Sequence, residues 1–233
     1  MEEPVLTRRE ITRNRTLDEI RQHAEEQVKA GGVEAISLNA IAKSMGMSGP
    51  AIYRYFASRD ELVADLIARG YLQLARSLGE ASESHVDEGP DRQLAAVARA
   101  YREWALANPH RFSMFYAVRS ESHADLEAAI AASQGSMDLL LDLLSRITPG
   151  TDPDTTSGTG ELDDALEHWR VLRDVPDTYS PLVLRLALLT WTRLHGIVTL
   201  ELAGVFEDME IDAGLLCDAE IQTIVEIAGS RPA

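Results

Sequence analysis

One cysteine, Cys217, stands in the whole chain. It has no intramolecular partner, so no disulfide framework holds the fold and a reducing compartment is expected. Cys217 itself reads as a small buried apolar side chain in the last helix. Aromatic residues make up only 6% of the chain, and alternating runs of β-branched residues are missing; this argues against sheets and for an all-α protein. Catalytic signatures are missing too. There is no Gly-rich phosphate loop, no Gly-x-Ser-x-Gly turn, no His-Glu-x-x-His pair and no Cys/His set at metal-ligand spacing, and the 6 histidines are scattered. An enzyme, a cofactor and a metal are therefore not expected. The charged N-terminus lacks the apolar core of a signal peptide. The most apolar run begins at Leu182–Leu189, but Arg185, Arg193, His195 and Glu201 interrupt it within the ~20 residues that a membrane span needs. A cytoplasmic location is the expectation.

Positive charge is also scarce. The 233 residues carry 22 Lys and Arg against 38 Asp and Glu, a net charge of −16. The deficit is uneven: residues 1–70 hold 10 basic against 11 acidic side chains, which leaves 12 against 27 for the rest. Nucleic-acid affinity rests on cations that neutralise phosphates. The near-neutral first part can still present such cations on one face, whereas the acidic remainder weakens non-specific binding. An apolar content of 45% is enough for a packed core in one or two domains.

The most informative stretch runs from Ser37 to Phe56. Ser37 is a good N-cap, Ile41, Ala42 and Met45 recur at helical spacing, and Gly46 ends that helix. Ser48 caps a second helix, with Pro50 tolerated in its first turn, and Ala51, Ile52, Tyr53, Tyr55 and Phe56 continue it. Two short helices joined by a few residues containing Gly form a helix-turn-helix. Before it, Leu17, Ile20, Ala24 and Val28 predict an amphipathic helix over Thr12–Ala30, stopped by Gly31-Gly32. The three helices share a core of Ile20, Ala24, Val28, Ile36, Ile41, Met45, Ile52 and Phe56. Residues 1–11 read as a mobile arm.

This stretch and its flanks resemble the DNA-binding domain of the TetR (tetracycline-repressor-like) family of bacterial transcription regulators. The resemblance is carried by Ile41-Ala42, Gly46-Met47-Ser48, Ile52-Tyr53-Arg54-Tyr55-Phe56 and Ser58-Arg59-Asp60-Glu61-Leu62, and it covers residues 12–68. It implies DNA contacts, position by position. Ser48 matches a phosphate-contacting cap, and Gly49, Pro50 and Ala51 match positions that approach base edges, where they offer only apolar contact. Tyr53 and Tyr55 match aromatic positions that hold phosphates. An i, i+2 pair cannot share a helix face, so at least one must leave the core, and Tyr53 is the better candidate. Arg54 has the chemistry to read guanine through O6 and N7, and Asn39 to read adenine. Lys43 and Arg59 are expected on phosphates, as is Arg13 or Arg15 where the first helix crosses the backbone. Ser58 and Glu61 make a capping box at the start of the next helix.

That helix runs on through Leu62, Leu66, Ile67, Tyr71, Leu74 and Leu78, and in the family it passes ligand-induced movement to the recognition helices. Residues 69–233 then form a larger helical domain for ligand binding and dimerisation. Trp104, Phe112, Phe115 and Tyr116 are concentrated for so aromatic-poor a chain, and either pack the core or line a pocket. A helix over 123–147 is followed by a Thr-, Gly-, Asp- and Pro-rich loop at 148–160. Leu162, Leu166 and Trp169 predict a short amphipathic helix. In the apolar helix Ser180–Phe206, Trp191, His195 and Gly196 resemble the Trp-x-x-x-His-Gly signature of one C-terminal subtype of the family. Trp169, Trp191 and His195 join the candidate pocket residues, although a lone His on an apolar helix also serves as a core residue. The last two helices, ending with Leu215–Ala228, are the expected homodimer interface.

The reading is a dimeric regulator, a repressor released from a palindromic operator by a small apolar or aromatic effector. Two others stay open: an activator or ligand-independent regulator, and a helix-turn-helix used for protein contacts.

Overall fold

The computed structural model describes residues 7–117, 123–148 and 160–230, without the side chains of 116–130. Among them are eleven α-helices and two 3₁₀ turns, and no strand. The chain divides into two compact units, one of 1–70 with 110–132, the other of 71–109 with 133–233.

The first unit begins with α1, Arg8–Gly31. It starts four residues earlier than the apolar pattern predicts, because Thr7 and Glu10 cap it reciprocally. The Glu10 N–H donates to Thr7 Oγ1 at 3.3 Å, and the Thr7 N–H donates to the Glu10 carboxylate at 2.7 Å. Arg8 and Arg9 are thus helical, and only residues 1–6 of the expected arm fall outside the described residues. Gly32 closes α1 at φ 73°, where its N–H reaches the Val28 carbonyl. A 3₁₀ turn, Val33–Ala35, leads to α2, Leu38–Ser44. Ser37 caps α2 as expected, and its own N–H donates to Gln27 Oε1 of α1 at 2.9 Å.

The turn after α2 is set by Gly46, at φ 67°. Its N–H meets the Lys43 carbonyl at 3.2 Å, and the Met47 N–H reaches back to the Ala42 carbonyl at 2.8 Å, a Schellman closure that needs a residue in the left-handed region. Then comes α3, Gly49–Ile52, only 4 residues long, in place of the helix through Phe56 that the sequence predicts. The chain coils on through Tyr53–Tyr55 by tighter bonds, Arg54 N–H to Ala51 at 3.3 Å and Tyr55 N–H to Ile52 at 2.9 Å.

Beneath these elements Ile20, Ala24, Val28, Val33, Ile36, Leu38, Ile41, Ile52 and Phe56 are buried together with Leu62 and Leu66 of α4, Arg59–Glu83. Met45, expected in this core, is half-exposed because it caps the end of α2. Burying the larger of these side chains contributes roughly 1.5–3 kcal/mol each, which is how so small a module is held. Two ion pairs tie α1 to its neighbours. Arg21 makes a two-pronged pair with Asp65 of α4, at 2.7 and 2.8 Å. Arg111 of α6, Pro109–Ala117, grips Glu25 at 2.7 Å. A Cβ on Gly70 of α4 would stand 2.9 Å from Phe115 Cε1, so only glycine allows that approach of α6 to α4.

The second unit is built around α9, Pro181–Leu202, packed on α11, Ala213–Gly229, and on α5, Pro90–Ala107. Leu184, Leu186 and Val198 of α9, Ile221 and Ile224 of α11 and Leu94 and Val97 of α5 are buried there. The second half of α7, His123–Ile147, adds Leu140, Leu141, Leu143 and Leu144. The expected 148–160 loop falls almost wholly outside the described residues; Thr148 is buried and its hydroxyl donates to Leu144. α8, Glu161–Leu172, packs on α9 through Leu166, while Leu162 is exposed. Ala203 and a left-handed Gly204 end α9 before Phe206, and the short α10, Val205–Asp208, comes next.

Among the described residues α9 alone has the length and apolar content of a membrane span. Its charges are all paired inside the unit: Arg185 with Asp163, Arg193 with Glu220, and Glu201 with Arg102. Cys217 is buried in α11 and burial pushes its thiol up to about 11.

Two glycines should respond oppositely to alanine. Gly46→Ala places a Cβ in the left-handed region and should cost about 1–2 kcal/mol. Gly79→Ala, inside α4 with open space around the new methyl, should stabilise by about 0.5–1 kcal/mol. Urea denaturation of both variants checks the signs; a neutral Gly46→Ala would contradict the turn described.

Candidate functional site

The turn between α2 and α3 brings most of the expected contact residues to one small region. Asn39 lies exposed in the first turn of α2, and its Oδ1 is 3.9 Å from where a Cβ on Gly49 would stand. The amide of α2 and the start of α3 are therefore side by side. Ser48, Gly49 and Pro50 are exposed and Ala51 is half-buried. The Ser48 hydroxyl makes no cap hydrogen bond, unlike those of Ser37 and Ser58. Ile52 and Phe56 turn inward and leave Tyr53 47% exposed, so the two tyrosines do part as their spacing requires. Tyr55 is half-buried beneath the guanidinium of Arg13, whose carbon lies 5.3 Å from the ring centroid.

The cations of the unit fall into two groups. Arg15 pairs with Glu19, Arg21 with Asp18 and Asp65, Arg69 with Asp18, and Arg111 with Glu25. Arg59 is similarly engaged. It donates to the Val33 carbonyl at 2.8 Å and the Ile36 carbonyl at 3.3 Å, and pairs with Glu34 and Asp60. The structure thus uses Arg59 to brace the 3₁₀ turn against the start of α4, not as the free cation that the phosphate expectation supposes. By contrast Arg13, Lys43 and Arg54 have no carboxylate partner among the described residues, and all three are exposed. The acids of the unit thus pair with cations of α1, α4 and α6, while the cations around the α2–α3 turn, like Arg8, Arg9 and Lys29 of α1, have no carboxylate partner among the described residues. A surface that attracts phosphate has this pattern.

The candidate pocket residues do not fall into one group. Phe112 and Phe115 belong to the first unit, where their rings meet at 6.1 Å, and the side chain of Tyr116 lies outside the described residues. Trp104, Trp169, Trp191 and His195 belong to the second unit. Trp104 is buried, Trp169 and Trp191 half-buried. His195 lies between two hydroxyls, Tyr101 at 3.1 Å from Nδ1 and Thr199 at 3.3 Å from Nε2, and stacks on Trp191 at 6.2 Å. A neutral imidazole satisfies both partners, because each hydroxyl can donate or accept. Sequence reasoning places Tyr101 only in an apolar stripe; the signal that could have found the pair is that a buried tyrosine hydroxyl needs a partner.

Against known families, "Bacterial regulatory proteins, tetR family" matches residues 20–66, and "Tetracyclin repressor-like, C-terminal domain" matches residues 94–224. The chain belongs to the TetR family. HTH-type transcriptional regulator Rv1816 of Mycobacterium tuberculosis is 27% identical over 198 residues, 84% of this chain and 85% of the relative. The crystal structure of regulatory protein SCO4313 is similar with a TM-score of 0.75 and 37% identity over 94% of this chain and 100% of that one. FadR from Bacillus subtilis, solved in complex with stearoyl-CoA, shares the fold at a TM-score of 0.60 and 14% identity, over 92% and 99% of the two chains. These relatives are transcriptional regulators, not enzymes, and TetR regulators bind DNA operators and small-molecule effectors as dimers. This protein is a DNA-binding transcriptional regulator of that family.

Burial pushes the His195 imidazole below its usual range. The folded state then binds fewer protons than the unfolded one as pH falls through ~6.5, the unperturbed value, so this group contributes stability above that pH and loses it below. Replacing it in His195→Gln should flatten the fall in melting temperature between about pH 7 and pH 5. An unchanged slope would show that His195 does not carry it.

Proposed function

We propose that the protein is a homodimeric, ligand-responsive repressor that leaves a palindromic operator when a small molecule binds. The observation that carries this reading is the pair of cations without a carboxylate partner, Lys43 and Arg54, around an α2–α3 turn whose exposed face also holds Asn39, Ser48 and Tyr53. Arg54 is the candidate for guanine, Asn39 for adenine, and Lys43, Ser48, Tyr53 and Tyr55 for phosphates, while Gly49, Pro50 and Ala51 give the backbone close access to the groove. Arg59 is left out because the protein's own carbonyls hold it. Two such turns would enter successive major grooves with centres about 34–36 Å apart.

The dimer would form through α9 and α11. Leu200, Leu215 and Ile227 are exposed, and Gly196 is half-exposed with open space over its α-carbon, so a partner helix could approach closely. The effector is read as apolar or aromatic, engaging the unit that holds Trp104, Trp169, Trp191 and His195. FadR, of the same fold, was solved in complex with stearoyl-CoA, which carries a long apolar chain. Binding to one protomer geometry more tightly than to another, by a few kcal/mol, shifts the equilibrium away from the DNA-bound form. A cytoplasmic location goes with this function.

Selection of genomic fragments by the purified protein at near-physiological salt should enrich one inverted repeat. Arg54→Ala should weaken binding to that repeat by about 5- to 150-fold, the ~1–3 kcal/mol of one bidentate base contact. The effector is sought by fluorescence. All 3 tryptophans of the chain lie in the second unit, so compounds suggested by the neighbouring genes should alter tryptophan emission and release the DNA together. Enrichment of no sequence by a folded dimer would favour a helix-turn-helix used for protein contacts.

A further inference from the structure

The end of α3 is held by only a few backbone bonds of its own, Arg54 N–H to the Ala51 carbonyl at 3.3 Å and the Tyr55 and Phe56 N–H groups to the Ile52 carbonyl at 2.9 and 3.2 Å. The last carbonyls of a helix are unsatisfied by the helix itself, and α3 is 4 residues long, so its exit turn Tyr53–Tyr55 arrives almost immediately. Among the described residues one side chain from elsewhere hydrogen-bonds to that turn. Arg13 of α1, 41 positions away in sequence from Arg54, donates from Nη1 to the Arg54 carbonyl oxygen at 3.4 Å. The same guanidinium lies over the Tyr55 ring, 5.3 Å from its centroid. It therefore touches the backbone of the candidate guanine reader and the ring of the neighbouring candidate phosphate contact. Arg15, two residues on, points its charge into a pair with Glu19 and makes no such contact among the described residues.

We infer that Arg13 is a positioning residue that fixes where the Arg54 side chain starts from, and so sets operator specificity without contacting the DNA. The inference rests on the reading that α2–α3 binds DNA. A guanidinium is suited to the task because its planar face covers an aromatic ring while its edge donates to a carbonyl. A lysine ammonium keeps the charge but not that geometry. A residue that merely neutralised a phosphate would behave the opposite way. Its loss would reduce the salt slope by about 0.9, and lysine would restore binding.

The test uses the inverted repeat recovered by fragment selection and compares full-length wild-type protein, Arg13→Ala, Arg13→Lys and Tyr55→Leu. Positioning predicts that Arg13→Ala and Arg13→Lys both lose about 5- to 30-fold in affinity for the repeat. The slope of log affinity against log salt should be unchanged, and affinity for an unrelated duplex nearly so. Tyr55→Leu in the Arg13→Ala background should add less than it costs alone, because the two share one contact. Tyr55→Phe keeps the ring and should leave the effect of Arg13→Ala intact. Recovery of binding in Arg13→Lys with a reduced slope in Arg13→Ala would overturn the inference and make Arg13 a phosphate contact. Full affinity in Arg13→Ala would overturn it as well. If Arg54→Ala binds the repeat as tightly as wild type, it is the DNA reading of α2–α3 that fails. Melting temperatures of Arg13→Ala and Arg13→Lys should stay at the wild-type value, since Arg13 is exposed.

Discussion

The candidate DNA-facing surface depends on a helix too short to stand by itself. Gly49–Ile52 closes a single turn, and forming one turn fixes several backbone dihedrals for one hydrogen bond, so it is unfavourable in isolation. Its shape must be imposed from outside. Gly46 imposes the entry, because its left-handed backbone lets the chain reverse tightly after α2. Ile52 and Phe56 impose the rotation, since both are buried against α1 and α4 residues and fix which side chains are left outward. The bonds of the Tyr53–Tyr55 turn and the Arg13 contact impose the exit. The candidate contacts from Ser48 to Tyr55 are thus carried by a segment whose conformation belongs to its neighbours.

The same dependence explains how the charges are used. A cation that faces another helix needs a partner, because burying an unpaired charge is costly. Arg21 and Arg111 have such partners in Asp65 and Glu25, and these pairs are partly shielded and two-pronged. Surface pairs such as Arg15 with Glu19 contribute little by comparison. With ten cations and eleven acids in residues 1–70, the net charge alone says nothing about DNA binding. The distribution does, because pairing removes the structural cations from the field that an approaching phosphate feels.

What can be read from the sequence is whatever a local rule governs. The Ser37 cap, the Gly46 stop, the Ser58–Glu61 hydrogen bond at the start of α4 and the buried stripe of α1 all come from spacings of a few residues. The early start of α1 is legible too, since Thr7-x-x-Glu10 is a capping box in plain sequence. Arg59 is not. Its partners are carbonyls 23 and 26 residues earlier, which no pattern marks. Nor is the membership of 110–132 in the first unit, which rests on contacts such as Arg111 with Glu25 and Phe115 with Gly70. The length of α3 is hidden because Ile52 and Phe56 keep helical spacing even where the chain has passed into a turn. At the candidate site, residue types point to one surface, and tertiary contacts decide which of its cations are held in ion pairs.

In the second unit the apolar helix α9 raises the opposite problem, since leucines alone specify register poorly. Its polar residues supply what they lack. Arg185, Arg193 and Glu201 each meet a partner on a different helix, α8, α11 and α5 respectively, and His195 meets Tyr101 of α5. A one-residue slip or a small rotation of α9 would break these pairs and leave partly buried charges unmatched, at a cost larger than any pair contributes when formed. These pairs hold α9 in one register and rotation. An effector that disturbs one pair has to stabilise another arrangement, and its influence is limited to the difference in its affinity for the two. Under the ligand response proposed above, such a helix would convert a local contact into a defined alternative.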